Sequence, residues 1–188
     1  MASLLLPIIY LAFISLGLPD ALLGAAWPTM YPQLGAQVSW AGGVSMIISA
    51  CTILSALASD RLNERLGTGR VTAISVATTV AALFGFSFCH AFWQLCLWAI
   101  PYGLGAGSVD AALNNYVALH YKSRHMSWLH CMWGVGASLG PVIMGQALAG
   151  SGWQGGYRII GILQVVLTVV LLFSLPLWKL PQDAMGGE

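Results

Sequence analysis

Long apolar runs broken by short polar stretches set the pattern of this chain. A membrane-crossing helix needs about 20 apolar residues. The first such run extends from about Leu4 to Pro32. Gly17, Pro19, Asp20, Gly24 and Pro28 interrupt it, which predicts a kinked helix. The second run is about Trp40 to Ser59 and carries no charge. The most charged stretch follows, Asp60 to Arg70, read as a loop. Further runs cover about Val71–Phe88, Phe92–His120, Met126–Ala149 and Arg158–Trp178. Between them lie a turn at Cys89-His90-Ala91, a loop from Tyr121 to His125 and a glycine-rich turn from Gly150 to Gly156. After Trp178 comes a short polar tail. The loops are too short for a soluble domain, so residues 1–188 are expected to form one all-α, six-helix membrane bundle.

Six spans put both termini on one side. Arg61, Arg65, Arg70, Lys122, Arg124 and Lys179 fall on that side, and Arg158 alone on the other. By the positive-inside rule both termini are expected in the cytoplasm, with the bundle in a bacterial inner membrane. Trp40, Trp93, Trp153, Trp178 and Tyr121 sit near span ends, where interfacial anchors belong. The first run lacks a basic leader and outlasts a signal peptide, so it is read as a retained helix.

Composition agrees. Charged residues are 7% of the chain and hydrophobic ones 58%, whereas a soluble domain carries roughly a quarter charged residues. A net charge of +1 gives no argument for nucleic acid. Cys51, Cys89, Cys96 and Cys131 form no C-x-x-C pair and are expected as buried, reduced thiols in helices, with Cys89 near the non-terminal surface. There is no phosphate-binding G-x-x-x-x-G-K-[ST] loop, no His/Cys cluster at metal spacing and no Ser/His/Asp arrangement. No cofactor, no metal and no enzymatic activity are expected.

One span is polar where it should not be. Gly103, Gly107, Asp110 and Asn114 are spaced 4, 3 and 4, so they share one helix face. Asn115 adds a second amide. A carboxylate inside a span costs on the order of 3 kcal/mol, which makes it a functional candidate. The glycines fit either a helix-packing face or the wall of a site.

These motifs bring a resemblance. Glu64-Arg65-Leu66-Gly67 followed by Arg70 resembles the carboxylate-Arg-x-Gly-basic signature between the second and third helices of the major facilitator superfamily, and Asp60-Arg61 offers a looser second frame. The Gly-x-Gly-x-Gly run with Asp110 and Asn114 is similar to the fourth helix of the fucose-permease and sugar-porter branches, where an acidic residue and an Asn at this spacing face the central cavity. Leu129 to Pro141 resembles the fifth helix of the same branches, with His130 ahead of a Gly-x-Gly and a later Gly-Pro. Gly136, Gly140 and Pro141 also resemble the glycine-proline signature of superfamily antiporters. The fourth-helix arginine of many drug and proton transporters is missing; Trp98, Ala99 and Ile100 stand there.

The resemblance implies half of a major facilitator fold, a 3+3 inverted repeat, that moves a small polar solute, most simply a sugar, by alternating access. On the fourth helix it carries solute binding over to Asp110 and Asn114 only; Asn115, Asp20, His130 and Trp133 are further solute-binding candidates. Asp110 and Asp20 are the proton-coupling candidates, since two carboxylates in one cavity favour sharing a proton. His130 fits either a solute contact or an interhelical hydrogen bond. Trp133 fits either a stacking platform or packing, and Asp20 either the cavity or the cap of a helix break. Asp60, Arg61, Glu64, Arg65 and Arg70 would latch the cytoplasmic gate through switchable ion pairs and helix-end caps. Gly103, Gly107, Gly136 and Gly140 would pack helices closely, and Pro141 would permit bending.

A complete transporter of this kind has two six-helix halves. One half alone would turn Asp110 towards lipid, which is costly. The expected partners are therefore the bilayer, the solute, and either a second copy in a parallel homodimer or a separately encoded second half. Two readings compete: half of a drug or cation efflux antiporter, and a truncated or accessory subunit without transport.

Overall fold

Gly35, Gly67 and Gly152 mark three of the helix boundaries in a computed structural model that describes residues 2–179. The helices are α1 (Ala2–Asp20), α2 (Leu22–Gln33), α3 (Trp40–Leu66), α4 (Thr68–Ser87), α5 (Phe92–His120), α6 (Ser123–Gly150) and α7 (Gly152–Ser174), with a 3₁₀ turn at Leu175–Lys179. The described residues contain no strand. Past Lys179 the polar tail lies outside them.

Several boundaries differ from the sequence reading. The first run is two helices, broken at Ala21 directly after Pro19-Asp20. The charged stretch read as a loop from Asp60 is helical through Leu66, because no Gly or Pro intervenes before Gly67. Gly67 takes φ 81°, a left-handed conformation that suits glycine, and its N–H closes α3 on the Asn63 carbonyl at 2.9 Å. α6 begins at Ser123 and α7 at Gly152, so the two neighbouring loops shrink to Tyr121-Lys122 and a single corner. Gly152, at φ 75°, turns that corner. Trp153 is not an interfacial anchor: it is 1% exposed, and its indole N–H donates to Gln33 Oε1 at 2.7 Å.

Five stretches are long and apolar enough to cross a membrane: Leu4–Gln33, Trp40–Leu66, Thr68–Ser87, Ser123–Gly150 and Gly152–Trp178. α5 is absent from them because its glycines, Asp110, Asn114 and Asn115 lower its hydropathy. Its 29 residues are still ample in length, since each adds about 1.5 Å of rise. It lies between α3 and α4, which shield much of its surface.

The packing has an internal symmetry. α1 pairs with α6 as α3 pairs with α5, α4 packs on α5 as α1 packs on α7, and α4 meets α7. Exchanging the first three spans with the last three reproduces these partners, the pattern of a 3+3 repeat. Glycines set both close pairs. A Cβ on Gly136 or Gly140 would run into the backbone carbonyls of Ile14 and Leu18, and one on Gly17 into that of Trp133. A Cβ on Gly103 or Gly107 would meet the backbone of Ile48 and Thr52. Such approaches are the usual reason for small residues between membrane helices.

Two apolar clusters fill the bundle. One, with Ile9, Phe13, Leu113, Leu129 and Leu171, lies towards the end that carries the basic residues. The other, with Trp27, Met30, Leu83, Leu95, Trp153 and Ile160, lies towards the far end.

Pro19 leaves a gap in the α1 ladder. Lacking an N–H, it cannot donate to the Ser15 carbonyl four residues back. Gln164, 1% exposed on α7, fills the role: its amide donates to that carbonyl at 2.6 Å. The carbonyl that Pro19 leaves without a helical donor is thus met by a side chain 149 positions away.

Candidate functional site

The break in α1 decides where Asp20 points. It is the last residue of α1, and the following helix has Ala21 as its N-cap with no side-chain cap hydrogen bond. Asp20 therefore does not cap the break. Its Oδ1 accepts from the Tyr102 hydroxyl at 2.9 Å, and its Oδ2 accepts from the Trp133 indole N–H at 2.8 Å. One carboxylate so ties α1 to α5 and α6.

Below this tie, on the side of the basic end, lies a cavity of about 420 Å³. Asp20, Asp110, His130 and Trp133 all line it, with Tyr102 and Thr52. Four helices converge there: α1, α3, α5 and α6. Asp110 and Asp20 lie within Coulombic reach of each other, as do Asp110 and His130. Phe13 meets the His130 ring edge-on, with centroids 6.4 Å apart. The lining holds two carboxylates and one imidazole but no Lys or Arg.

Asn114 takes a different place from the one expected. It does not line the cavity; its amide donates to Asp110 Oδ1 at 3.0 Å, and its own Oδ1 is enclosed without a partner. Asn114 orients Asp110, leaving the second carboxylate oxygen without a side-chain partner among the described residues. Asn115 stands about 100° further round the helix; it is exposed and outside the lining.

Asp60, Arg61, Glu64 and Arg65 occupy the last turns of α3, and Arg70 the first turn of α4. All five are exposed at the basic end. Neither flanking helix end has a side-chain cap from them: α4 starts at Gly67 with no cap hydrogen bond. Helix-end capping by these side chains is therefore not seen, and Gly67 closes both helices instead. Pro141 lies within α6, and Gly140 before it abuts Leu18.

Sequence reasoning missed Tyr102. The signal was present, since Tyr102, Ala106 and Asp110 are spaced by four and form one face. Thr52 and Phe13 carry no comparable mark; only the packing of α1 and α3 brings them to the cavity.

This cavity, lined by helices of both repeats and holding ionisable groups, suits reversible solute binding. No group of His, Cys, Asp and Glu among the described residues could hold a metal ion. The family described as Major Facilitator Superfamily matches residues 9–184. The chain is also 27% identical over 166 residues to the 4-hydroxybenzoate transporter PcaK of Pseudomonas aeruginosa. That alignment covers 85% of this chain and 37% of the relative, so the chain spans well under half of the relative's length.

Proposed function

The chain belongs to the major facilitator superfamily, and from that premise we propose that it forms one six-helix half of a secondary transporter for a small, uncharged polar solute, most simply a sugar. One observation carries the solute class: the cavity presents Asp20, Asp110 and His130 with no Lys or Arg. Carboxylates accept hydrogen bonds from hydroxyl groups and repel an anion that has no cation to meet. Asp110 offers its unoccupied oxygen to the solute, with Asn114 holding the other. Trp133 presents an indole face beside it and is 40% exposed.

A carboxylate that trades its donors for a solute hydroxyl, or for a proton, would change which helices it ties. That is the basis for assigning coupling to Asp110 and Asp20. A parallel second half, either a copy of this chain or another chain, would complete the cavity and cover the open face of α3 and α6. The charged turns around Gly67 would face the cytoplasm and serve as its gate.

A second reading has its own support. The relative's name specifies 4-hydroxybenzoate, and His130 lines the same cavity as Asp110. An aromatic carboxylate would then enter together with a proton.

Proteoliposomes separate the two. Uptake of labelled hexoses under an inward proton gradient is expected, reduced at least tenfold by Asp110→Asn. Uptake of 4-hydroxybenzoate instead of hexoses would favour the second reading. If Asp110→Asn leaves uptake and its pH dependence unchanged, the role given to Asp110 is wrong. Native mass measurement in nanodiscs is expected to find two six-helix units together.

A further inference from the structure

The Asp20–Tyr102 bond has a second cavity on its other side. Towards the far end, between α2, α3, α4 and α7, lies a chamber of about 670 Å³. That is within the range of about 300–1,000 Å³ common for small-molecule sites. Asp20, Ile48 and Tyr102 line both cavities, so the two adjoin at the tie.

Their chemistry differs. The cavity at the basic end holds Asp110 and His130. The far chamber is walled by Leu23, Val44, Leu83 and Phe86, with the hydroxyls of Ser45 and Tyr157 among them. Tyr157 is 3% exposed, yet its hydroxyl has no hydrogen-bond partner among the described residues and is not among the enclosed orphan atoms. A buried phenol left without a partner costs free energy unless a ligand or water meets it. Its ring and that of Phe86 lie 5.4 Å apart at 49°, an aromatic corner on the chamber wall. Ser45 and Ser49 line the chamber from α3, whose contact with α2 is slight.

We propose that the far chamber binds the aromatic ring of an uncharged solute whose hydroxylated portion sits at Asp20 and Asp110, in chemical class an aryl glycoside. The ring fills the space beside Phe86 and Val44. Tyr157 donates to the oxygen that links the ring to the sugar. The hydroxyls pass the Asp20 tie into the cavity at the basic end. This rests on the sugar-like reading for the polar portion only; the ring site stands on the chamber itself.

The test measures binding of phenyl β-glucoside and methyl β-glucoside to the chain in nanodiscs. The phenyl compound is expected to bind at least tenfold tighter. Ser45→Phe, an exposed position that faces the chamber, should fill it and make the two compounds equal. Leu23→Phe supplies a second filling variant should the first fail to fold. Tyr157→Phe should reduce the phenyl preference without altering methyl glucoside binding. Equal affinities in the unaltered protein would overturn the ring site, as would a phenyl preference that survives both filling variants. If phenyl glucoside binds and the filling variants abolish it while methyl glucoside never binds, the ring site stands and the sugar reading falls. If neither compound binds, both are overturned.

Discussion

The indole N–H of Trp133 on α6 donates to Asp20 Oδ2 at 2.8 Å, at the residue where α1 breaks. The contact links the two helices that Gly17, Gly136 and Gly140 already hold at backbone distance. Bonds to a charged acceptor contribute about 1.5–3 kcal/mol each, and an open cavity wall puts this one at the lower end. Trp133→Phe is therefore expected to weaken solute affinity about tenfold, since about 1.4 kcal/mol is a factor of ten. In an Asp20→Asn background the same change should cost less, because the two residues share one interaction. A binding isotherm for the four proteins measures this; equal costs in both backgrounds would dissolve the link.

Gln164 and Pro19 make a second coupled pair. Gln164 supplies the donor that Pro19 lacks for the Ser15 carbonyl. Gln164→Leu is expected to lower stability by about 1 kcal/mol. When Pro19→Ala restores the helical N–H, the loss should largely vanish. Thermal unfolding in a mild detergent reads the cycle, and an undiminished loss in the Pro19→Ala background would show that α1 does not need the amide.

Glycines in one helix should respond in opposite directions. Gly136→Ala drives a methyl into the Ile14 carbonyl, so α1 and α6 must part; overpacking of this kind costs about 1–3 kcal/mol. Gly145→Ala meets no atom within 4 Å and should stabilise α6 by up to about 1 kcal/mol. The sign of the shift in melting temperature checks each.

Cys89 lies in the turn between α4 and α5 and is buried, as expected of these thiols, whereas Cys131 on α6 is exposed and departs from that expectation. Cys89 is 2% exposed, donates to the Gly85 carbonyl at 3.2 Å, and burial pushes its pKa up to about 11. The thiolate is the reactive form, so Cys89 stays inert at neutral pH. N-ethylmaleimide at about neutral pH should modify the exposed Cys131 first and reach Cys89 only after unfolding. Mass spectrometry of the labelled peptides reports the order.

Much of this is legible along the chain. Apolar run lengths locate the spans, and the run Phe92–His120 coincides with α5. Its end signals are local: a turn before Phe92, and a polar residue cluster after His120. Boundaries fail where a helix outruns the apolar stretch, as α3 does beyond Ser59. Hydropathy marks the bilayer, whereas the α3 ladder continues through the charged turns until Gly67 stops it.

The sequence by itself determined the class of protein, the family and the face that carries Asp110, because these depend on composition and on residues within a few turns of one another. Only the tertiary structure decided what the polar groups do. Asp20 proved to be a tie between helices and not a cap, since its donors come from Tyr102 and Trp133. Asn114 proved to hold Asp110 and not to face the cavity. Tyr102 joined the site, and Gln164 found the carbonyl that Pro19 leaves bare. These partners come from different helices, so only the packing of the bundle could bring them together; for Trp133 and Asp20 the glycine contacts of α1 and α6 set that approach.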